Sequence, residues 1–314
     1  MTTSAAGPVA LEEATARPGK PAKLGRDPIK HKRAILGFLA PFGVLFALFY
    51  LVPVGYAVYQ SFLKIQREGA WGVPETVFGG FAQYKLVLES NEFWSSILRV
   101  LLYFIVQVPV MLGLALIFAL LLDSTVLKGK KFFRLAFFAP YAIPGVIASI
   151  MWGFLYVPSL TPFPALTDRI DFLGSGFVLW SIANIVIWVY CGYNMLILYS
   201  ALQAIPQEIY EAARVDGAGQ FRLAWDIKIP IVMPAIILTA VFSIIGTLQL
   251  FNEPFVLRTF SGAVTSTYTP NMVVYSTSVV PNYNLAAAFS VVLALATFIL
   301  SFVFLKLTQK RAFA

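Results

Sequence analysis

EAARVDGAGQFRLAWDIKIPIVMP, residues 211–234, is a polar, helix-prone insert between two long apolar runs. Such an insert is built to meet something in the water. Just before it, Pro206 has a fixed φ suited to the first turn of a helix. Residues 207–215 are dense in helix formers. Asp216 and Gly217 then stop the helix, with Gly217 free to take the left-handed C-terminal position. A second short helical stretch, residues 221–226, leads to Ile227, Ile229 and Pro230, where the apolar character resumes. The sequence predicts a short helix lying flat beside a larger apolar body. Ala212 and Ala213 make part of it small enough for close approach. Glu211, Arg214 and Asp216 form a charged rim. From the residues alone, a docking helix and a simple loop closure both stay open.

The apolar body dominates. Of the 314 residues, 59% are hydrophobic and 12% charged, about half the ~25% charged share of a soluble domain. The apolar residues fall in long runs, which marks an integral membrane protein. The six expected spans are 35–59, 96–122, 135–157, 176–203, 231–257 and 284–305. The fold class read from the sequence is therefore an all-α membrane protein of six transmembrane helices. Residues 1–33 read as a disordered basic cytosolic tail, and 34–314 as the membrane domain, with the polar loop at 204–230. Cys191 has no second cysteine to pair with. The lone His31 offers no metal site.

Charge placement sets the orientation. Arg17, Lys20, Lys23, Arg26, Lys30, Lys32 and Arg33 lie in the tail. Lys128, Lys130, Lys131 and Arg134 follow span 2, and Arg214, Arg222 and Lys228 follow span 4. Lys306, Lys310 and Arg311 close the chain. The opposite side has only Lys64, Arg67, Lys85, Arg169 and Arg258, with Arg99 left over. The excess of cations on one side puts both termini and the polar loop in the cytoplasm. The same placement argues against reading the net charge of +8 as nucleic-acid binding. Tyr50, Tyr59, Trp94, Trp152 and Tyr156 at span ends fit an interfacial aromatic belt. Pro53, Pro109, Pro144, Pro234 and Pro254 interrupt spans, either to line a path or as ordinary membrane-helix prolines.

The insert resembles the EAA loop of ATP-binding-cassette importer permeases. That pattern is Glu-Ala-Ala, three residues, Gly, then a spacer to Ile-x-Leu-Pro. Glu211, Ala212, Ala213, Gly217, Ile227 and Pro230 match in register, and Asp216 and Ala218 match its fuller Asp-Gly-Ala form. Ile229 stands where Leu is usual. Ala224 stands where sugar permeases carry an aromatic, with Phe221 earlier in the loop. Further segments resemble the carbohydrate-uptake type, first permease subunit. They are Lys32-Arg33-Ala34, Phe93-Trp94, Phe137-Phe138-Ala139-Pro140 with Pro144, Leu202-Gln203-Ala204-Ile205-Pro206, and Phe251-Asn252-Glu253-Pro254.

The resemblance implies one permease of a heterodimer in a bacterial or archaeal cytoplasmic membrane. Its cytosolic helix would dock on an ATP-binding subunit, with Tyr210, Glu211, Ala212, Ala213, Asp216 and Gly217 as coupling residues. A second permease, ATP-binding subunits, an extracytoplasmic solute-binding protein, membrane lipid and a di- or oligosaccharide are the implied partners. ATP and Mg would sit on the partner ATPase subunit, and no cofactor on this chain. The chain is expected not to be an enzyme, since it has no G-x-x-x-x-G-K-[ST] phosphate loop.

Polar groups inside a bilayer are costly and therefore suspect as a path. Span 4 offers Trp188, Tyr190, Tyr193 and Asn194. Span 5 offers Ser243, Thr247, Gln249, Asn252 and Glu253. By resemblance to the maltose-type permease these spans hold the sugar pocket, with Trp188 and Tyr193 on matching aromatics and Val186 in place of a polar residue. Helix–helix hydrogen bonding by the same Ser, Thr and Asn is the plainer reading. Glu253 reads as an outer gate, a cap on a neighbouring helix, or a contact to the partner permease. No Lys or Arg lies mid-span, which favours a neutral sugar over glycerol phosphate. From a different class, an ion-coupled secondary sugar transporter would want internal repeats and mid-span acids, and neither is evident. An intramembrane enzyme would want a nucleophile–base pair or metal ligands, and one His and one Cys far apart do not supply them.

Overall fold

The computed structural model describes residues 28–312 except 68, 70–72, 125 and 281, with side chains from Ile35 to Thr308 apart from those positions. Most of the expected basic tail, residues 1–27, therefore lies outside the described residues, as does Trp71. Helix α1, Pro28–Phe46, already begins within the last residues of that tail. The chain divides into two units, one up to Pro53 and one from Val54. In the first, α1 passes into a π-helical turn, Ala47–Leu51. Helix α2, Val52–Ser61, begins in the first unit and ends in the second.

The second unit continues with a hairpin of β1, Leu63–Gln66, and β2, Glu75–Phe78, antiparallel with Leu63 opposite Phe78. The expected all-α class misses this pair. Helix α3, Ala82–Glu89, leads to α4, Asn91–Asp123. The latter begins ahead of its predicted start because Ser90 caps it, its side chain accepting from the Phe93 N–H at 3.3 Å. The third apolar run is broken. Helix α5, Lys130–Phe138, a 3-10 turn Ala139–Ala142, and α6, Gly145–Tyr156, bend by 96° at Pro144. Pro140 and Pro144 lie in and beside the bend, where backbone bonds of a straight helix would fail.

Then come α7, Pro164–Thr167, the long α8, Val178–Gln203, and the short α9, Gln207–Val215. Helix α10, Gln220–Arg222, runs through a π segment, Leu223–Lys228, straight into α11, Ile229–Leu248. The predicted second stretch is thus the start of the next long helix and not a separate element. Both π turns end just before a proline, Pro53 and Pro230. A proline lacks the N–H that would bond four residues back and crowds that carbonyl, and the wider turn moves it aside. Helix α12, Asn252–Leu257, follows a break at residues 249–251. The stretch between the last two expected spans contains α13, Pro270–Val279, capped by Thr269. Helix α14, Tyr283–Ala312, ends the chain.

Among the described residues, five helices are long and apolar enough to cross a membrane, or six if the bent pair counts as one span. In the second unit the core has two main layers along α4 and α8. One gathers Tyr103, Ile182, Ile185, Leu257 and Met272. The other gathers Ala115, Ala119, Leu122, Met195, Leu198 and Leu202 with Tyr210 and Ala213 of α9. Gly192 lets the end of α5 approach α8, because a Cβ there would overlap the Phe137 carbonyl oxygen. Trp152 and Tyr156 turn inward, not to an interfacial belt. Tyr156 is 6% exposed and donates to the Ser181 carbonyl at 3.0 Å. Arg99, unplaced by the charge count, donates to the Tyr268 carbonyl at 2.7 Å and lies 4.4 Å over that ring.

Candidate functional site

Two places on the α8–α11 pair carry the polar chemistry. The first is a cavity of about 320 Å³ between α4, α8, α11 and the turn into α12. On α8 it is lined by Tyr190, Tyr193 and Asn194. On the other wall stand Ser243, Thr247, Gln249, Asn252 and Glu253. Eight of the nine residues expected on this path therefore meet at one cavity. Trp188 does not. It packs edge-on against Trp152 at 5.8 Å between ring centroids. Its direction around α8 differs from that of Tyr190 and Tyr193, and the helix face decides. Val186 also lines the cavity.

Much of this polarity is already spent locally. Ser243 donates to the Thr239 carbonyl of its own helix at 2.8 Å. Asn194 donates to the Tyr190 carbonyl at 3.0 Å, and Thr247 to the Gln107 amide oxygen at 3.4 Å. The aromatic wall is less constrained. Tyr141, from the bend between α5 and α6, stacks on Tyr193 at 4.6 Å and meets Tyr190 edge-on at 5.9 Å. Stacked rings with polar tips offer faces for C–H surfaces and hydroxyls for hydrogen bonds.

The sequence reading missed α4's contribution. Tyr103, Gln107 and Met111 line the cavity, and their four-residue spacing put them on one helical face. The Tyr103 hydroxyl is buried and finds no hydrogen-bond partner among the described residues, which a buried donor seldom tolerates. Glu253 is 8% exposed. Its carboxylate abuts the start of α6, since a Cβ at Gly145 would lie 3.5 Å from Oε1. A carboxylate there faces the positive end of a helix.

The second place is α9. Pro206 occupies its N-cap, one position before the predicted first turn. The far end closes as the residues require. Gly217 has φ +79°, its N–H donates to the Arg214 carbonyl at 3.0 Å, and the Ala218 N–H donates to Ala213 at 2.9 Å. These two bonds make a Schellman cap. The six residues expected to act together divide between two faces. Tyr210 and Ala213 are buried against the bundle's own core, so Ala213 is not on offer to another chain. Glu211, Ala212, Asp216 and Gly217 are exposed. Beside them lie two aromatics in open view, Phe221 at 81% and Trp225 at 64% exposure, stacked at 6.4 Å. Trp225, next to the position where an aromatic was missing, went unread in the sequence.

Beneath α9 the Lys228 ammonium meets the Asp123 carboxylate at 2.5 Å. Burial and the Asp123 charge push the Tyr210 phenol up to about 12. No group of three His, Cys, Asp or Glu suited to a metal ion occurs among the described residues.

Apolar helices around a polar, aromatic-walled cavity, with a polar helix seated on the same helices, define a membrane permease. Comparison with known proteins gives the family. Residues 76–312 match the model of the "binding-protein-dependent transport system inner membrane component". A lactose transport system permease protein of Rhizobium radiobacter is 30% identical over 84% of this chain and 90% of its own length. An sn-glycerol-3-phosphate transport system permease protein of Rhizobium meliloti is 30% identical over 81% and 87%. The fold matches a bacterial alginate transporter solved with its pentasaccharide-bound periplasmic protein, with a TM-score of 0.77 and 19% identity over 91% of this chain and 98% of that one. The chain belongs to the family of binding-protein-dependent transport system inner membrane components, and its relatives are permease proteins of ABC transporters.

Proposed function

We propose that the chain is one permease of an ATP-driven importer for a neutral di- or oligosaccharide. The observation that carries the reading is the seating of α9 on the two helices, α8 and α11, that wall the cavity. Movement of α9 then reaches the cavity through packed elements. In this reading the bent pair is one span, six spans cross the cytoplasmic membrane, and both termini and α9 lie in the cytoplasm. The cation bias supports that orientation.

Glu211, Ala212, Asp216 and Gly217, with Phe221 and Trp225, form the face offered to an ATPase subunit, which would bind ATP and Mg. The present chain would bind neither. Tyr210 and Ala213 hold the helix from behind. A second permease completes the path as a heterodimer, and an extracytoplasmic binding protein delivers the sugar. The alginate complex with its periplasmic protein supports that last partner by analogy of fold.

A neutral substrate is favoured by the cavity walls. They include the Glu253 carboxylate, and no Lys or Arg among the described residues. A phosphate or uronate would meet repulsion without compensation. The relatives include a glycerol-phosphate system, so the choice is testable. Vesicles containing the assembled importer should take up a neutral disaccharide and not sn-glycerol 3-phosphate, and the reverse preference would overturn the assignment. Glu211→Ala should abolish co-purification with the ATPase subunit. Full association and full transport in that variant would reject the coupling role of α9.

A further inference from the structure

Three elements converge under α9 on one buried carboxylate. Asp123 is the last residue of α4. It accepts from Lys228 Nζ at 2.5 Å and, through its other oxygen, from Gln203 Nε2 at 2.6 Å. Gln203 is the last residue of α8, and Lys228 the last of the π segment leading into α11. The Lys228 ammonium also lies 5.1 Å from the centre of the Tyr210 ring, on α9. Tyr210 in turn donates to the Leu202 carbonyl at 3.4 Å. The side chains of Lys228 and Asp123 are 8% and 6% exposed.

Charges so far out of water are retained only when paired and hydrogen-bonded. Asp123 gains nothing from its helix, because a carboxylate at a helix C-terminus faces the negative end of the dipole. Lys228 is its counter-charge, and the ammonium's remaining face is covered by an aromatic ring. A pair in this position fixes the distance between the ends of α4 and α11, and its cation holds α9 to both.

We propose that Asp123 and Lys228, with Gln203 and Tyr210, form a clamp that positions α9 on the bundle, so that displacement of α9 is passed to α4, α8 and α11 together. The clamp rests on the coupling role assigned to α9 above. The four are positioning residues. They act through α9 and touch neither sugar nor nucleotide.

The test is amide hydrogen exchange of the full chain in lipid nanodiscs. Lys228→Met and Asp123→Asn should each speed exchange across α9 at least tenfold, with the α4 and α8 cores unchanged. Lys228→Arg keeps the charge and should stay within twofold of wild type. Wild-type exchange in both single variants would overturn the clamp, and so would Lys228→Arg behaving like Lys228→Met. If the single variants do not fold, the exchanged pair Asp123→Lys/Lys228→Asp decides: protected α9 supports the clamp, and released α9 overturns it. Glu211→Ala separates the two ideas. It should leave α9 exchange unchanged while losing the ATPase subunit. Retained association there would sink the coupling role alone, whatever the exchange data show for Lys228.

Discussion

Gly192 and Gly217 are small for different reasons, and substitution should separate them. At Gly192 a Cβ would strike the Phe137 backbone carbonyl, and backbone cannot swing away as a side chain does. Gly192→Ala should cost about 1–3 kcal/mol by overpacking, read as a lowered unfolding midpoint of the purified chain. At Gly217 there is open space around the Cβ position, but φ is +79°. Gly217→Ala should cost about 1–2 kcal/mol from the left-handed backbone alone, and Gly217→Asn less than Gly217→Ala. Tyr210 adds a pH signature. Its folded phenol titrates at about 12, above the ~10 of an unfolded tyrosine. The stability it contributes is complete below pH ~10 and is lost as pH rises through about 12. Wild type should therefore lose stability between those values by a margin that Tyr210→Phe lacks, measured as the difference between their thermal unfolding profiles. In the cavity, Tyr103→Phe removes the unpartnered hydroxyl. Sugar affinity should fall about tenfold, measured by binding or uptake titration.

Among the elements, α9 depends on its two faces being unlike. Tyr210 and Ala213 fix one face to the core, while Glu211, Ala212 and the Phe221–Trp225 stack leave the other to the solvent. Exposed stacked aromatics on a polar loop mark a surface that meets a partner. Phe221→Ser/Trp225→Ser should weaken ATPase-subunit association with the unfolding midpoint unchanged, checked by co-purification and thermal unfolding side by side. The bend between α5 and α6 has the opposite task. It stacks Tyr141 on Tyr193 of the cavity wall and brings the start of α6 to Glu253. A straight span through that region would provide neither. The starts of α4 and α13 were missed, although Ser90 and Thr269-Pro270 carry capping chemistry that is local. The β1–β2 hairpin was not legible, because its pairing is settled by contacts across the intervening loop.

For the molecule as a whole, the sequence by itself determined the class. Long apolar runs need a bilayer, and the bias of cations predicts which side holds the loops. The spacing of Glu211, Gly217 and Pro230 marked the polar insert, and the cap at Gly217 formed as those residues demand, since a Schellman turn is decided within a few residues. Tertiary structure decided what lies far apart in the chain. It split the EAA segment into an inner and an outer face. It turned Trp188 toward Trp152 and away from the cavity, and it brought in Tyr103 and Gln107 from α4. It also joined Asp123 to Lys228. Each depends on the rotation of one helix about its axis relative to another. Nearly uniform apolar sequence leaves that rotation open, because lipid and protein interior are equally apolar to a leucine. Close approach at small residues such as Gly192, and the pairing of buried polar groups, fix it.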